Sequence, residues 1–340
     1  MTWWIRPLVR LIAAVALPLI VPAVITGILW ALPGDPVEIL CPPGICTGQE
    51  ELAQRWHMDA GPIGFYTHWL ANAFTGDFGR SIRVMQGQTV DTLLMESIMP
   101  TLWLVLAALL PVVVLSAVSA ANRISARFDP AWQLIGLVPS VLFALLACAL
   151  LEINQSWFKS VFDPVHEAGW SGLSVVLAWV PQALQFLVPV PATDGSMSAL
   201  RIAFGAVVLG LADGALSGAV TGTRSVFEEE TKQRYVQIAV LRGEGILGNM
   251  LPNVMPALIG QFRGRMLHLL SGAVVVEVVL GIPGLGQLLW DGTLLQDFFV
   301  VLAAAWAFSL LSGVLLLIQA ATEVLVEMHI RRSPVVPVAA

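Results

Sequence analysis

Asp213 in LGLADGALSG and Glu277 in GAVVVEVVLG each interrupt a long apolar run. A carboxyl group in such surroundings can carry a proton, meet a cationic substrate group, or accept hydrogen bonds from backbone that lacks a partner. Left alone it is costly. Together the two could serve as acid and base in a membrane-embedded enzyme, but they fall on different apolar runs with no nucleophile, histidine partner or metal-ligand set. The five histidines, His57, His68, His166, His268 and His329, are scattered without metal-ligand spacing, so no bound metal is expected. GEGILG (243–248) has the G-x-G-x-x-G spacing of a dinucleotide loop. The stretch before it reads as helix rather than strand, however, and no acidic residue occurs between Glu244 and Glu277. No Walker-type phosphate loop occurs anywhere. The chain is therefore expected to catalyse no bond chemistry and to hold no cofactor. For Glu277, just before Ile282 and Pro283, bonding to loop backbone or gating is preferred to substrate contact. For Asp213, flanked by Gly210, Gly214 and Gly218, a wet path and a bond inside close-packed helices stay equally open.

Charge concentrates elsewhere. FEEETKQRYVQIAVLRGEG (227–245) holds seven charged side chains, in a chain of which only 12% of residues are charged. Its periodicity predicts a short amphipathic helix with Tyr235, Ile238, Ala239 and Arg242 on one face, at i, i+3, i+4 and i+7. Such a helix can dock into a groove on a partner. Small Ala239 permits close approach, and Gly243 lets the chain leave the helix. Glu228, Glu229 and Glu230 are expected to cap or solvate the start of this region. Cys41 and Cys46 in CPPGIC either form a disulfide on the outer side or remain two thiols. Cys148 reads as a small apolar core residue.

These residues must be held by membrane-spanning helices. The chain has 340 residues, 57% of them apolar, and a mean hydropathy of +0.81, well beyond an ordinary soluble domain. Spans of about 20 apolar residues are expected near 10–32, 98–121, 131–151, 201–222, 266–285 and 298–325. The first run, Leu11 to Leu32, is longer than a signal-peptide core and is read as a retained span. With the N-terminus cytoplasmic, twelve Lys and Arg residues fall inside and five outside, which satisfies the positive-inside rule. The segment 172–190 is apolar enough to cross, yet a seventh single crossing would invert that count. It is expected to lie at the outer surface or to re-enter there. The net charge of −6 gives no reason to expect nucleic acid, and the lipid bilayer is the first partner.

Several motifs follow one another in a familiar order: LPGDP (32–36), GDFGRSI (76–82), YVQIAVLRG (235–243), LPNVMPALI (251–259), and GAVVVEVVLGIPGLGQLL (272–289) followed by Asp297. This order resembles the membrane subunits of binding-protein-dependent ABC importers, in the branch that takes up dipeptides, oligopeptides or nickel. Gln237, Ala239 and Gly243 occupy the positions of that family's Glu-x-Ala then Gly coupling motif, with Gln237 replacing the usual Glu. The loop between Gly243 and LPN is also about four residues shorter than the family pattern.

The resemblance implies an all-α integral membrane protein with six transmembrane helices, an extracytoplasmic segment after the first, and a cytoplasmic coupling helix between the fourth and fifth. On that reading residues 1–32 hold the cytoplasmic N-terminus and first span, 33–97 the outer segment, 98–328 the permease core, and 329–340 a cytoplasmic tail. The coupling loop is expected over 223–265, with Tyr235, Gln237, Ala239, Arg242 and Gly243 contacting the ATPases. Implied partners are a second permease subunit, two ATP-binding cassette subunits that use ATP-Mg, and an outer substrate-binding protein. The implied location is a bacterial or archaeal cytoplasmic membrane, with both termini cytoplasmic. Peptides are the first substrate expectation, and nickel or another small solute the second.

Overall fold

The structure, a computed structural model, describes residues 5–41, 44, 48–121, 129–153 and 195–332. The expected re-entrant segment 172–190, Cys46 and most of the 329–340 tail lie outside the described residues. A long first helix, α1 (Ile5–Ala31), carries Pro18 and Pro22 within it. It ends at LPGDP, where Asp35 caps a short helix, α2 (Pro36–Leu40), by accepting the Val37 N–H at 2.9 Å. Next come α3 (Gln49–Arg55) and α4 (Gly61–Thr75), then α5 (Val90–Ala121). A bent pair, α6 (Asp129–Gly136) and α7 (Ser140–Ile153), follows. After 194 the chain continues as α8 (Gly195–Leu211), a 3-10 turn at Ala212–Gly214, and α9 (Ala215–Thr231). The remainder is α10 (Arg234–Leu241), α11 (Ile246–Leu280), α12 (Leu285–Leu294) and α13 (Phe298–Arg332).

Four runs among the described residues are long and apolar enough to cross a membrane: α1, α5, α8 with α9, and α13. The number reaches six if α6–α7, bent by 83°, and α11–α12, bent by 68°, are each one span. The regions expected as spans at 131–151 and 266–285 thus each contain a bend. The expected 201–222 span is also interrupted, at Asp213, whose φ of 51° is left-handed. Most of the 223–265 stretch, expected as a loop, is helix, because α9 runs on to Thr231 and α11 already starts at Ile246.

Close packing relies on small residues, as helix association in lipid generally does. α1 lies along α13, where a Cβ on Gly313 would fall 2.6 Å from the Ala14 carbonyl oxygen, and Arg10 pairs with Glu323 across that contact. Gly210, Gly214, Gly218 and Gly222 recur every fourth residue along α8 and α9. Gly210 faces the Ala108 carbonyl of α5, Gly218 lies under the Arg265 guanidinium, and Gly222 lies under Gln261 of α11. The segment after α1 is anchored too. Trp56, Phe65, Trp69 and Phe78 are buried with Phe299, Ala303 and Ala304 of α13, and the Tyr66 hydroxyl of α4 donates to the Leu19 carbonyl of α1 at 2.8 Å.

Candidate functional site

The helix expected to couple is present as α10, eight residues between two long helices. Its seat is a small apolar cluster in which Val236 of α10 meets Met250 and Val254 of α11, with Val226 and Phe227 of α9 beside them. Ala239 is 5% exposed and shares the buried side of α10 with Val236. This corrects the expected face: Ala239 is on the buried side of α10, one turn from Val236. The outward side carries Ile238, 49% exposed, Leu241, 86% exposed, and the exposed Tyr235, Gln237 and Arg242.

Gly243 ends the helix as expected, at a φ of 71°. Its N–H reaches the Val240 carbonyl at 3.0 Å and the Glu244 N–H reaches the Ala239 carbonyl at 3.0 Å. Those two bonds are the Schellman pattern, which closes the last turn and needs the left-handed residue that glycine supplies without strain. Gln237 donates from Nε2 to the Lys232 carbonyl at 3.3 Å. Arg242 faces Glu244 at 3.9 Å, a surface pair of small energetic weight.

Glu228, Glu229 and Glu230 come before α10 in the chain but do not cap it. They form the last turn of α9, where the helix dipole disfavours acids. Glu230 instead accepts the Tyr235 hydroxyl and so ties α9 to α10. Burial first, and then the Glu230 contact, raise the Tyr235 phenol above its usual range.

The two intramembrane acids each end on backbone. Asp213 accepts the Ser140 N–H at 3.1 Å while its own N–H donates to the Val138 carbonyl at 3.3 Å. It thus caps α7 at the 83° break, supplying a first-turn N–H with the partner it otherwise lacks. Asp213→Asn should change thermal stability little in detergent, since asparagine tolerates the left-handed region and retains the acceptor. Asp213→Ala should lose about 2 kcal/mol, from the lost cap and the left-handed strain together.

Glu277 is fully buried. One oxygen accepts the Thr101 hydroxyl at 2.6 Å, and the other accepts the N–H groups of Gly286 at 2.6 Å and Gln287 at 3.2 Å. Thr101 in turn accepts the Leu285 N–H at 2.7 Å. The carboxylate therefore caps α12 from the preceding helix, and α5 contributes through Thr101. A Cβ on Gly284 would fall 2.4 Å from the Glu277 carboxyl, and one on Gly286 would fall 2.5 Å from the Val274 Cα. Of the three glycines in GIPGLG, Gly284 and Gly286 are the two needed for this close approach.

No group of three or more potential metal ligands occurs among the described residues. Cys41 is buried and disulfide-bonded, Cys148 is a free thiol, and Cys46 lies outside the described residues. The molecule thus presents apolar spans, a short helix seated between two of them, and acids committed to backbone. Residues 78–331, well over half of the chain, match the family described as the binding-protein-dependent transport system inner membrane component. The chain belongs to that family. It is similar to the oligopeptide transport system permease protein AppB of Bacillus subtilis, 27% identical over 288 residues that cover 81% of this chain and 83% of the relative. It is equally similar to the glutathione transport system permease protein GsiC of Escherichia coli K12, 27% identical over 310 residues that cover 88% and 90%. It is a multi-pass membrane protein of a transport family and not of an enzyme family.

One anchor of this permease does not stand out as a site in its sequence. Asp297, just before α13, is 1% exposed. Its Oδ2 accepts the Ser81 hydroxyl at 2.7 Å and the N–H groups of Ile82, Arg83 and Val84 at 2.9, 2.9 and 3.2 Å. Arg83 extends the tie by donating to the carbonyls of Leu295 and Ile39. The permease thereby joins its GDFGRSI loop, the segment after α1 and the start of α13. The only sequence signal was that both motifs occur in the family order, because backbone donors have no residue signature.

Proposed function

We propose that this permease forms half of the passage through which an ATP-driven importer takes up peptides, and that α10 transmits the ATPase motion to its spans. The observation that carries this is α10 itself. One side is fixed against α9 and α11, while Ile238, Leu241 and Arg242 are presented outward. A partner that moves this helix moves both spans with it. ATP binding would favour one access state by contacting α10 differently in the two states, which is all that population shift requires. A second permease, of the same or a different sequence, completes the passage. Two ATPase subunits using ATP-Mg and an outer binding protein complete the importer. α10 and both termini lie in the cytoplasm, and the segment after α1 lies outside. Peptides are the substrate class, in keeping with relatives named for oligopeptides and glutathione. Nickel uptake has no such support.

Purification of the tagged chain in mild detergent should bring down an ATPase with a Walker loop, and cells lacking the chain should lose labelled-dipeptide uptake while nickel uptake persists. Recovery of no ATPase, or labelling of a cysteine placed at Tyr235 from the outer side of the membrane, would reject the proposal.

A further inference from the structure

Arg265, at the end of the stretch expected as a cytoplasmic loop, instead falls within the apolar helix Asn253–Leu280, the first limb of the bent pair completed by α12. It is half-buried, and among the described residues it takes part in no hydrogen bond or ion pair. A cation at that depth is costly and normally has a partner. The acids of the neighbouring spans cannot supply one, because Asp213 and Glu277 are bonded to backbone at the two helix breaks.

The guanidinium is laid across Gly218, where a Cβ would fall 2.4 Å from one of its nitrogens. It borders a groove of about 580 Å³ between α5, α9 and α11, walled by Val112, Ser116, Phe227, Met255 and Phe262. Gln261 lines the same groove. Its Nε2 is bound to the Gly222 carbonyl at 3.1 Å, while its buried Oε1 has no partner among the described residues. Space of this size holds a small organic ligand. Its one charged group is the residue type whose planar fork suits a carboxylate.

The geometry points to Arg265 as the residue that receives the free carboxylate of a peptide inside this groove, with the apolar walls taking the peptide's side chains. The assignment rests on the peptide-importer reading above and deepens it. A phospholipid phosphate is the less fitting occupant, since headgroups stay at the membrane boundary. Arg265 instead lies among apolar residues with its head flat on α9. Gly218 acts with it as a positioning residue, because any side chain there would lift the guanidinium off α9.

The test uses the complete importer in proteoliposomes and a radiolabelled dipeptide carrying a benzoylphenylalanine crosslinker, prepared with a free carboxylate and as the amide. On illumination the free acid should label the α5, α9 and α11 segments. Arg265→Gln should reduce that labelling by about ten-fold or more, the scale of a lost charge-assisted hydrogen bond, and Arg265→Lys should restore part of it. The amide should label weakly and equally in the wild type and both variants. Undiminished labelling in Arg265→Gln, or equal loss of both peptide forms, would overturn the assignment. So would unchanged peptide labelling with loss of thermal stabilisation by phosphatidylglycerol, which would give Arg265 to lipid. Absence of all peptide uptake by the wild-type importer would instead refute the substrate class.

Discussion

Ala239→Arg should abolish peptide uptake, by about 100-fold or more, while the protein still reaches the membrane. Ala239 is buried on the same side of α10 as Val236, so the substituted side chain would have to displace that side from its apolar contact with Met250 and Val254. An unpaired charge there costs on the order of 3–5 kcal/mol, more than so small a cluster returns, so α10 leaves its seat. The spans do not depend on that seat, since the main buried clusters lie among α5, α8, α11 and α13. Gly243→Pro should act alike for a different reason. Proline holds φ near −65° and has no N–H, whereas this position needs a φ of 71° and donates to Val240. In both variants immunoblotting should find near-normal amounts in the membrane, and the importer's ATPase activity should no longer respond to peptide. Ile238→Glu and Leu241→Glu provide the contrast. They alter the outward face alone, so they should weaken recovery of the ATPase without disturbing the seat. Normal uptake by Ala239→Arg and Gly243→Pro together would remove α10 from the mechanism.

The short helix α10 was legible because its period, its charge and its terminal glycine coincide within a few residues. Its orientation was not. In eight residues both sides of YVQIAVLR carry apolar groups, and only the approach of Met250 and Val254 to Val236 decides which side turns inward. Hydropathy made apolar helices in membrane-span number readable, four to six among the described residues, but not the bends. A window of apolar residues averages the same whether the helix is straight or turns by 83°. The acids had been visible as anomalies, and their partners had not. Asp213, Glu277 and Asp297 all terminate on main-chain N–H groups, which every residue except proline possesses. Glycine was the indirect trace of this. Gly136 and Gly214 approach closely at the first break, and Gly284 and Gly286 make room for the carboxylate at the second.

That common ending gives Glu277 a sharply divided set of expected outcomes. Removing the carboxylate in Glu277→Ala leaves the N–H groups of Gly286 and Gln287 and the Thr101 hydroxyl without their acceptor in a buried site. Each unpaired group costs about 1–3 kcal/mol, so a loss of at least about 3 kcal/mol is expected even with some relaxation. The variant should accumulate poorly and unfold at markedly lower temperature in detergent. Glu277→Gln should behave quite differently. Its amide oxygen can accept from Gly286 and Gln287, and its NH2 can donate to Thr101, whose hydroxyl then turns to the Ser97 carbonyl that it already approaches at 3.3 Å. Uptake within about three-fold of wild type corresponds to less than about 0.7 kcal/mol, and that is the value expected if the residue's work is to hold the bend. A group that binds a substrate amine or carries a proton needs the negative charge itself, and for it the glutamine variant would be as inactive as the alanine variant. Uptake and thermal unfolding measured on the same two variants therefore separate the roles: a stable but inactive Glu277→Gln would move this residue from the scaffold into the transport pathway.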